Sequence, residues 1–124
     1  MSTRVKVLLG TRSGATREYL RHLIQGQQDM TIVGDVDRPV EILVTTAQTE
    51  AQVVILELPD IDTDPGICSH LLAEFPSLLI LVISSDREKA ILYRQKIVKK
   101  PLPNPTDRQI LSVIRRAKEG EIII

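Results

Sequence analysis

The run Val53-Val54-Ile55-Leu56-Glu57-Leu58 limits this chain more than any other feature of it. It is too short for a helix and apolar at consecutive positions, so both faces of the strand it forms must be covered. Such a strand belongs at the centre of a sheet with helices on either side. Its one interruption is Glu57, a carboxylate that is costly to bury without a partner; Lys100 or Arg12 is the expected cation.

The remaining chain supplies what that strand needs. Val5 to Leu9, closed by Gly10, reads as a first strand, and Met30 to Val36 as a second. Between them Ser13 is a good N-cap, and Ala15, Tyr19, Leu20, Leu23 and Ile24 recur at helical spacing until Gly26. Asp37 is expected to cap a second helix with Pro39 in its first turn and Val40, Leu43, Val44 and Ala47 along it. A loop rich in Pro, Asp and Gly leads from Pro59 to Gly66 into a third helix bearing Ile67, Leu71, Leu72 and Phe75. Leu78 to Ile83 is a fourth buried strand, and Ser84-Ser85-Asp86 is expected to cap a brief helix from Arg87 to about Gln95. Ile97 and Val98 form a short fifth strand. Thr106 caps a last helix carrying Ile110, Leu111, Val113, Ile114 and Ala117. Five β-α units predict an α/β fold: a doubly wound, three-layer sandwich around a five-stranded parallel sheet.

Length and charge narrow the function. At 124 residues one domain is expected. Sixteen basic residues balance sixteen acidic ones, so no global field draws the chain to nucleic acid or an anionic membrane. Aromatics are 2%, which removes the stacking platforms of single-strand binders. No apolar run suits membrane insertion. The lone Cys68 can make neither an internal disulfide nor a zinc site, and with no signal-peptide run at the N-terminus a cytoplasmic location is expected.

In doubly wound sheets, function gathers outside the carboxyl ends of the strands. There stand Gly10, Thr11 and Arg12 after the first strand, Glu57 in the third, Ser84 and Ser85 after the fourth, and Lys100 after the fifth. With Val-Val-Ile-Leu-Glu-Leu-Pro, Leu-Val-Ile-Ser-Ser and Val-Lys-Lys-Pro in this order, the chain resembles the receiver domains of two-component response regulators from Val5 to about Lys118. The resemblance implies a flavodoxin-like (βα)5 fold and a receiver-like domain over residues 1–118.

The family's chemistry is phosphoryl transfer to an aspartate, assisted by Mg²⁺ in an acidic cage and by a hydroxyl and a lysine. By this resemblance Ser84 keeps the hydroxyl place and Lys100 the lysine place. Gly10-Thr11-Arg12 stands where the acidic pair belongs, and Glu57, one methylene too long, takes the acceptor place. A displacement of about 1 Å is enough to matter for a reacting oxygen. The pocket is thus expected to be degenerate, with no Mg²⁺, no cofactor and no enzymatic activity. Ile97 replaces the aromatic that switches in the family, so coupling to the surface by that route is not expected.

The expected role is an atypical, phosphorylation-independent receiver that binds a protein partner or forms a homodimer. The implied surface is the face of the fourth helix, fifth strand and fifth helix, with Arg87, Tyr93, Arg108, Leu111 and Arg115 as candidates. Two alternatives remain: a phosphoacceptor using Glu57 or Ser84, and a DNA-binding module, which zero net charge disfavours. Asp60, Asp62 and Asp64 alternate as in a calcium loop, but Gly66 and Leu71 miss the required places, so a solvated acidic loop is expected. His22 and His70 lack metal-ligand spacing. Residues 119–124 end in three isoleucines, a tail or the start of a strand. They are similar to the entry into a nucleotide-binding domain of the MinD/ParA type, as in pilus-assembly ATPases of the TadZ/CpaE group, which carry an atypical receiver at the N-terminus.

Overall fold

The computed structural model describes residues 4–59, 66–94 and 97–117, with backbone alone for 97–100. The acidic loop at Asp60, Asp62 and Asp64, the side chains of Ile97 and Lys100, and the tail 119–124 lie outside the described residues.

The strands are β1 (Val5–Gly10), β2 (Met30–Asp35), β3 (Val53–Leu58), β4 (Leu79–Ser84), β5 (Lys89–Arg94) and β6 (Ile97–Pro103). The helices are α1 (Gly14–Gln25), α2 (Pro39–Thr49), α3 (Gly66–Glu74) and α4 (Asp107–Arg116). The sheet order is β2-β1-β3-β4-β5-β6. β3 lies inside the sheet between β1 and β4, parallel to both, as its all-apolar run demands.

Alternation along the strands sorts the core into two layers. Val7 and Leu9 of β1, Ile55 of β3 and Leu81 and Ile83 of β4 meet Leu20 and Ile24 of α1 and Ile110 and Ile114 of α4. Leu8, Val54, Leu56, Ile80 and Val82 face the other way, against Ile42 of α2 and Cys68 and Leu71 of α3. The result is a three-layer α/β sandwich.

The local signals act as their chemistry requires. The Ser13 side chain accepts from Thr16 N to cap α1, and Thr106 forms a reciprocal capping box with Gln109 on α4. The N-cap of α2 is Arg38, with no side-chain cap, so Asp37 does not cap it; Pro39 opens the helix.

The expected brief fourth helix is absent. Lys89–Arg94 is strand β5, antiparallel to β4, and β6 returns antiparallel to β5, so the sheet is mixed and six-stranded instead of five-stranded and parallel. The free edge of the fully buried β4 needs a partner, and the stretch from Ser84 to Ile97 is barely long enough for a crossover helix with its loops. Tight reversal satisfies β4 instead. Asp86 accepts from the Ser84 hydroxyl at 2.6 Å and from Glu88 N at 2.9 Å, while Arg87 takes a left-handed φ of 62° in the turn. The residues read as a helix cap are therefore turn formers. Pro101 and Pro103 are tolerated because β6 is an edge strand.

Candidate functional site

Glu57 sits at the carboxyl end of β3, on the face covered by α1, and is 1% exposed. Its Oε1 accepts from Arg12 N at 2.7 Å and Ser13 N at 2.8 Å, and its Oε2 accepts from Ser13 Oγ at 2.8 Å. Ser85 adds a side-chain hydrogen bond. Burial is the largest effect on this carboxyl and raises its pKa. The donors from Ser13, Arg12 and Ser85 together outweigh it and hold the group below its ordinary 4.5. Among the described residues the partners are thus neutral donors at the entrance to α1, not the guanidinium expected of Arg12. Arg12 contributes its amide, and its exposed side chain lines the cleft beside Glu57.

The place of the acidic pair is filled otherwise. A Cβ on Gly10 would lie 2.7 Å from Leu56 Cδ2 and 3.3 Å from Ile42 Cδ1, so the packing of α2 on the sheet leaves no room for a side chain. Thr11 is fully buried; its hydroxyl donates to Asp35 Oδ1 at 3.2 Å and accepts from Arg17 Nε at 3.3 Å. Arg17 Nε in turn lies 2.9 Å from Asp35 Oδ2. Asp35, at the end of β2, is therefore tied to a cation, while Asp37 lines the cleft beside Glu57.

This donor set does not fit a magnesium ion. Both oxygens of Glu57 accept from amides or hydroxyls, Asp35 is paired with Arg17, Gly10-Thr11-Arg12 offers no carboxylate, and Asp37 alone among the described residues joins Glu57 as an acid lining the cleft, short of an oxygen cage. No group of three or more His, Cys, Asp and Glu able to hold a metal occurs among the described residues. A cleft of about 140 Å³ remains between Gly10, Arg12, Pro39, Leu56 and Ile67, with Glu57 in its wall.

Ser84, assigned the hydroxyl place, does not reach Glu57. Its Oγ bonds Asp86 and accepts from Lys89 N at 3.1 Å, closing the β4–β5 turn. Ser85 faces the carboxylate instead. Sequence reasoning placed Ser85 at this edge but gave the hydroxyl role to Ser84, and it read Ser13 as a helix cap alone. The signal was available, because a buried carboxylate at the end of a central strand needs donors and the start of α1 is the nearest supply.

The five candidate interaction residues do not form one face as expected, since the fourth helix is missing. Tyr93 is 7% exposed and part of the core. Leu111 packs partly buried against the α1–α4 layer. Arg115 is held by Asp29 at 2.7 Å and by Gln27 at 2.9 Å. Arg87 lies over the Tyr19 ring, 4.8 Å from its centroid, and Arg108 is exposed. Of the residues set aside, Cys68 is buried in the core, His22 and His70 are exposed, and His22 lies 3.8 Å from Glu18. No described helix is long and apolar enough to cross a membrane.

No family model matches the chain, and no curated protein matches it. Among solved structures it is similar to the response regulator domain of Thermotoga maritima CheB, with 17% identity and a TM-score of 0.67, over 96% of this chain and 99% of that one. An alignment spanning both chains, with the helices divided between two faces of the sheet, shows that this protein has the receiver fold.

Proposed function

We propose that this domain is a pseudo-receiver, an interaction module that works without phosphorylation. The observation that carries the reading is the occupied state of Glu57. Three hydrogen bonds from Ser13 and Arg12 and a further one from Ser85 already engage this carboxylate, which lowers its readiness to attack a phosphoryl donor, and the acidic pair that would bring the metal is replaced. The pocket serves as a structural clamp between β3 and α1.

The interaction surface we assign is α2. Val40 and Val44, 71% and 47% exposed, are the large apolar side chains left in solvent among the described residues. They stand one turn apart, with half-buried Leu43 and exposed Ala47 completing a stripe. The occupant is a second copy. A two-fold, antiparallel pairing of α2 centred between Leu43 and Val44 brings Val40 against Ala47 of the other copy and Arg38, before the helix, near Glu50, after it. One short helix buries little area, so the dimer is weak, with a dissociation constant on the order of micromolar or above. The tail at 119–124 motivates a wider setting, in which the module heads a pilus-assembly ATPase of the kind named above.

Two measurements test this. Acetyl phosphate or beryllium fluoride with Mg²⁺ should leave both mass and melting temperature unchanged; a shift abolished by Glu57→Ala would sink the phosphorylation-independent reading. Sedimentation across a concentration series should show dimer in the native chain and monomer in Val44→Arg, and a native chain that stays monomeric removes self-association.

A further inference from the structure

Arg94 ends β5 at the edge of the sheet opposite Glu57, where it pairs with Leu79 at the start of β4. It is 6% exposed. Its Nη2 reaches Ser77 O at 3.4 Å, and its Nη1 is buried with no hydrogen-bond partner among the described residues. A charged guanidinium removed from water and left half satisfied is among the most unfavourable arrangements in a folded protein. It persists where something else completes it.

The side chain lines a cavity of about 410 Å³ under the start of β3 and β4. Such a volume falls in the range of about 300–1,000 Å³ that small-molecule sites occupy. Phe75, Leu78 and Ala117 give it apolar walls, and Gln52 adds a polar group. Gln52 Oε1 accepts from Lys6 N at 3.0 Å, which leaves its amide nitrogen as a second donor. Glu74, exposed, stands at the same cavity.

We propose that this cavity binds an organic monocarboxylate, its carboxylate on the fork of Arg94 and its apolar part against Phe75, Leu78 and Ala117. The planar guanidinium matches a carboxylate in two parallel hydrogen bonds. The negative charge of Glu74 disfavours a dianion such as phosphate, and the apolar walls favour a carbon skeleton over a bare ion. The inference is independent of the reading of Glu57 and of α2, since it uses neither.

The test is a titration of the protein with sodium butyrate and sodium benzoate, against sodium chloride and inorganic phosphate at matched ionic strength, read by calorimetry and melting temperature. Saturable carboxylate binding is expected, with a melting temperature raised over chloride and no comparable effect of phosphate. Arg94→Met removes the unpaired charge and should bind at least about tenfold more weakly. Ala117→Met keeps the charge but fills the cavity, and should weaken binding as well should Arg94→Met not fold. Equal effects of carboxylates and chloride, tighter binding of phosphate, or unchanged affinity in a folded variant of either kind would overturn the proposal.

Discussion

Ser13 grips Glu57 twice, through its amide at 2.8 Å to one carboxylate oxygen and through its hydroxyl at 2.8 Å to the other, while the same hydroxyl accepts from Thr16 N at 3.2 Å. One side chain therefore starts α1 and fastens it to the central strand. Ser13→Ala should cost about 2–4 kcal/mol, from a lost cap together with a lost bond to a buried charge, and Ser13→Thr should retain most of it. Urea unfolding with an unchanged slope would measure the difference.

The acid limb of stability follows from the same carboxylate. Its pKa in the folded chain lies below the ordinary 4.5, so its contribution is present above that unfolded value and is lost as pH falls through the folded one. Glu57→Gln should be less stable at neutral pH, because an amide nitrogen would face donors, and the gap to the native chain should narrow on acidification. Denaturation midpoints from neutral pH downward would check both statements.

The two serines that end the fourth strand should separate by phenotype. Ser85→Ala removes a donor to Glu57 and should lower stability less at low pH than at neutral pH. Ser84→Ala opens the β4–β5 turn, costs about 1–2 kcal/mol, and leaves the carboxyl titration of Glu57 where it was. Carbon-detected titration of the Glu57 carboxyl distinguishes them.

Adding acids at the places that receiver phosphotransfer uses should not confer that chemistry here. Gly10→Asp places a Cβ 2.7 Å from Leu56 Cδ2 in a packed interior and should destabilise by about 1–3 kcal/mol. Glu57→Asp withdraws the oxygens from Ser13 without supplying a cage. Neither variant should gain mass with acetyl phosphate and Mg²⁺.

Tyr19 should titrate at about 12, because partial burial, its hydrogen bond to Asp107 and the charge of Asp107 together outweigh the opposing charge of Arg87. Since the folded value is raised above 10.0, the stabilisation is complete below that pH and disappears as pH climbs toward the folded value. Tyrosinate absorbance in the native chain and in Asp107→Asn, where the value should fall, is the measurement.

Most of the architecture was legible because it rests on burial. Val53–Leu58 needed cover on both faces, and Ser13 and Thr106 marked helix starts that the backbone uses. The fourth β-α unit was misread because Arg87 to Arg94 contains good helix formers and its apolar positions are consecutive, so Ala90 and Leu92 could not be separated from Ile91 and Tyr93 by period. Pairing with the open edge of β4 overrode propensity, and that information lies in a distant strand. Likewise Glu57 announced its need for partners, but whether a guanidinium or an amide met it depended on how closely the turn after β1 approaches β3. Exposed Val40 and Val44 carried no warning, since their helical spacing is the same whether a stripe faces the core or the solvent.

The β4–β5–β6 meander also divides the chain by how far its pairings reach. Ile83 meets Ala90 and Arg94 meets Ile97 across a few residues, whereas Val7 must find Val53 far along the chain. Short loops close at little entropic cost and long ones at more. Assembly can then begin from the carboxyl-terminal hairpins and recruit the amino-terminal strands last, the reverse of the order in which a ribosome delivers them.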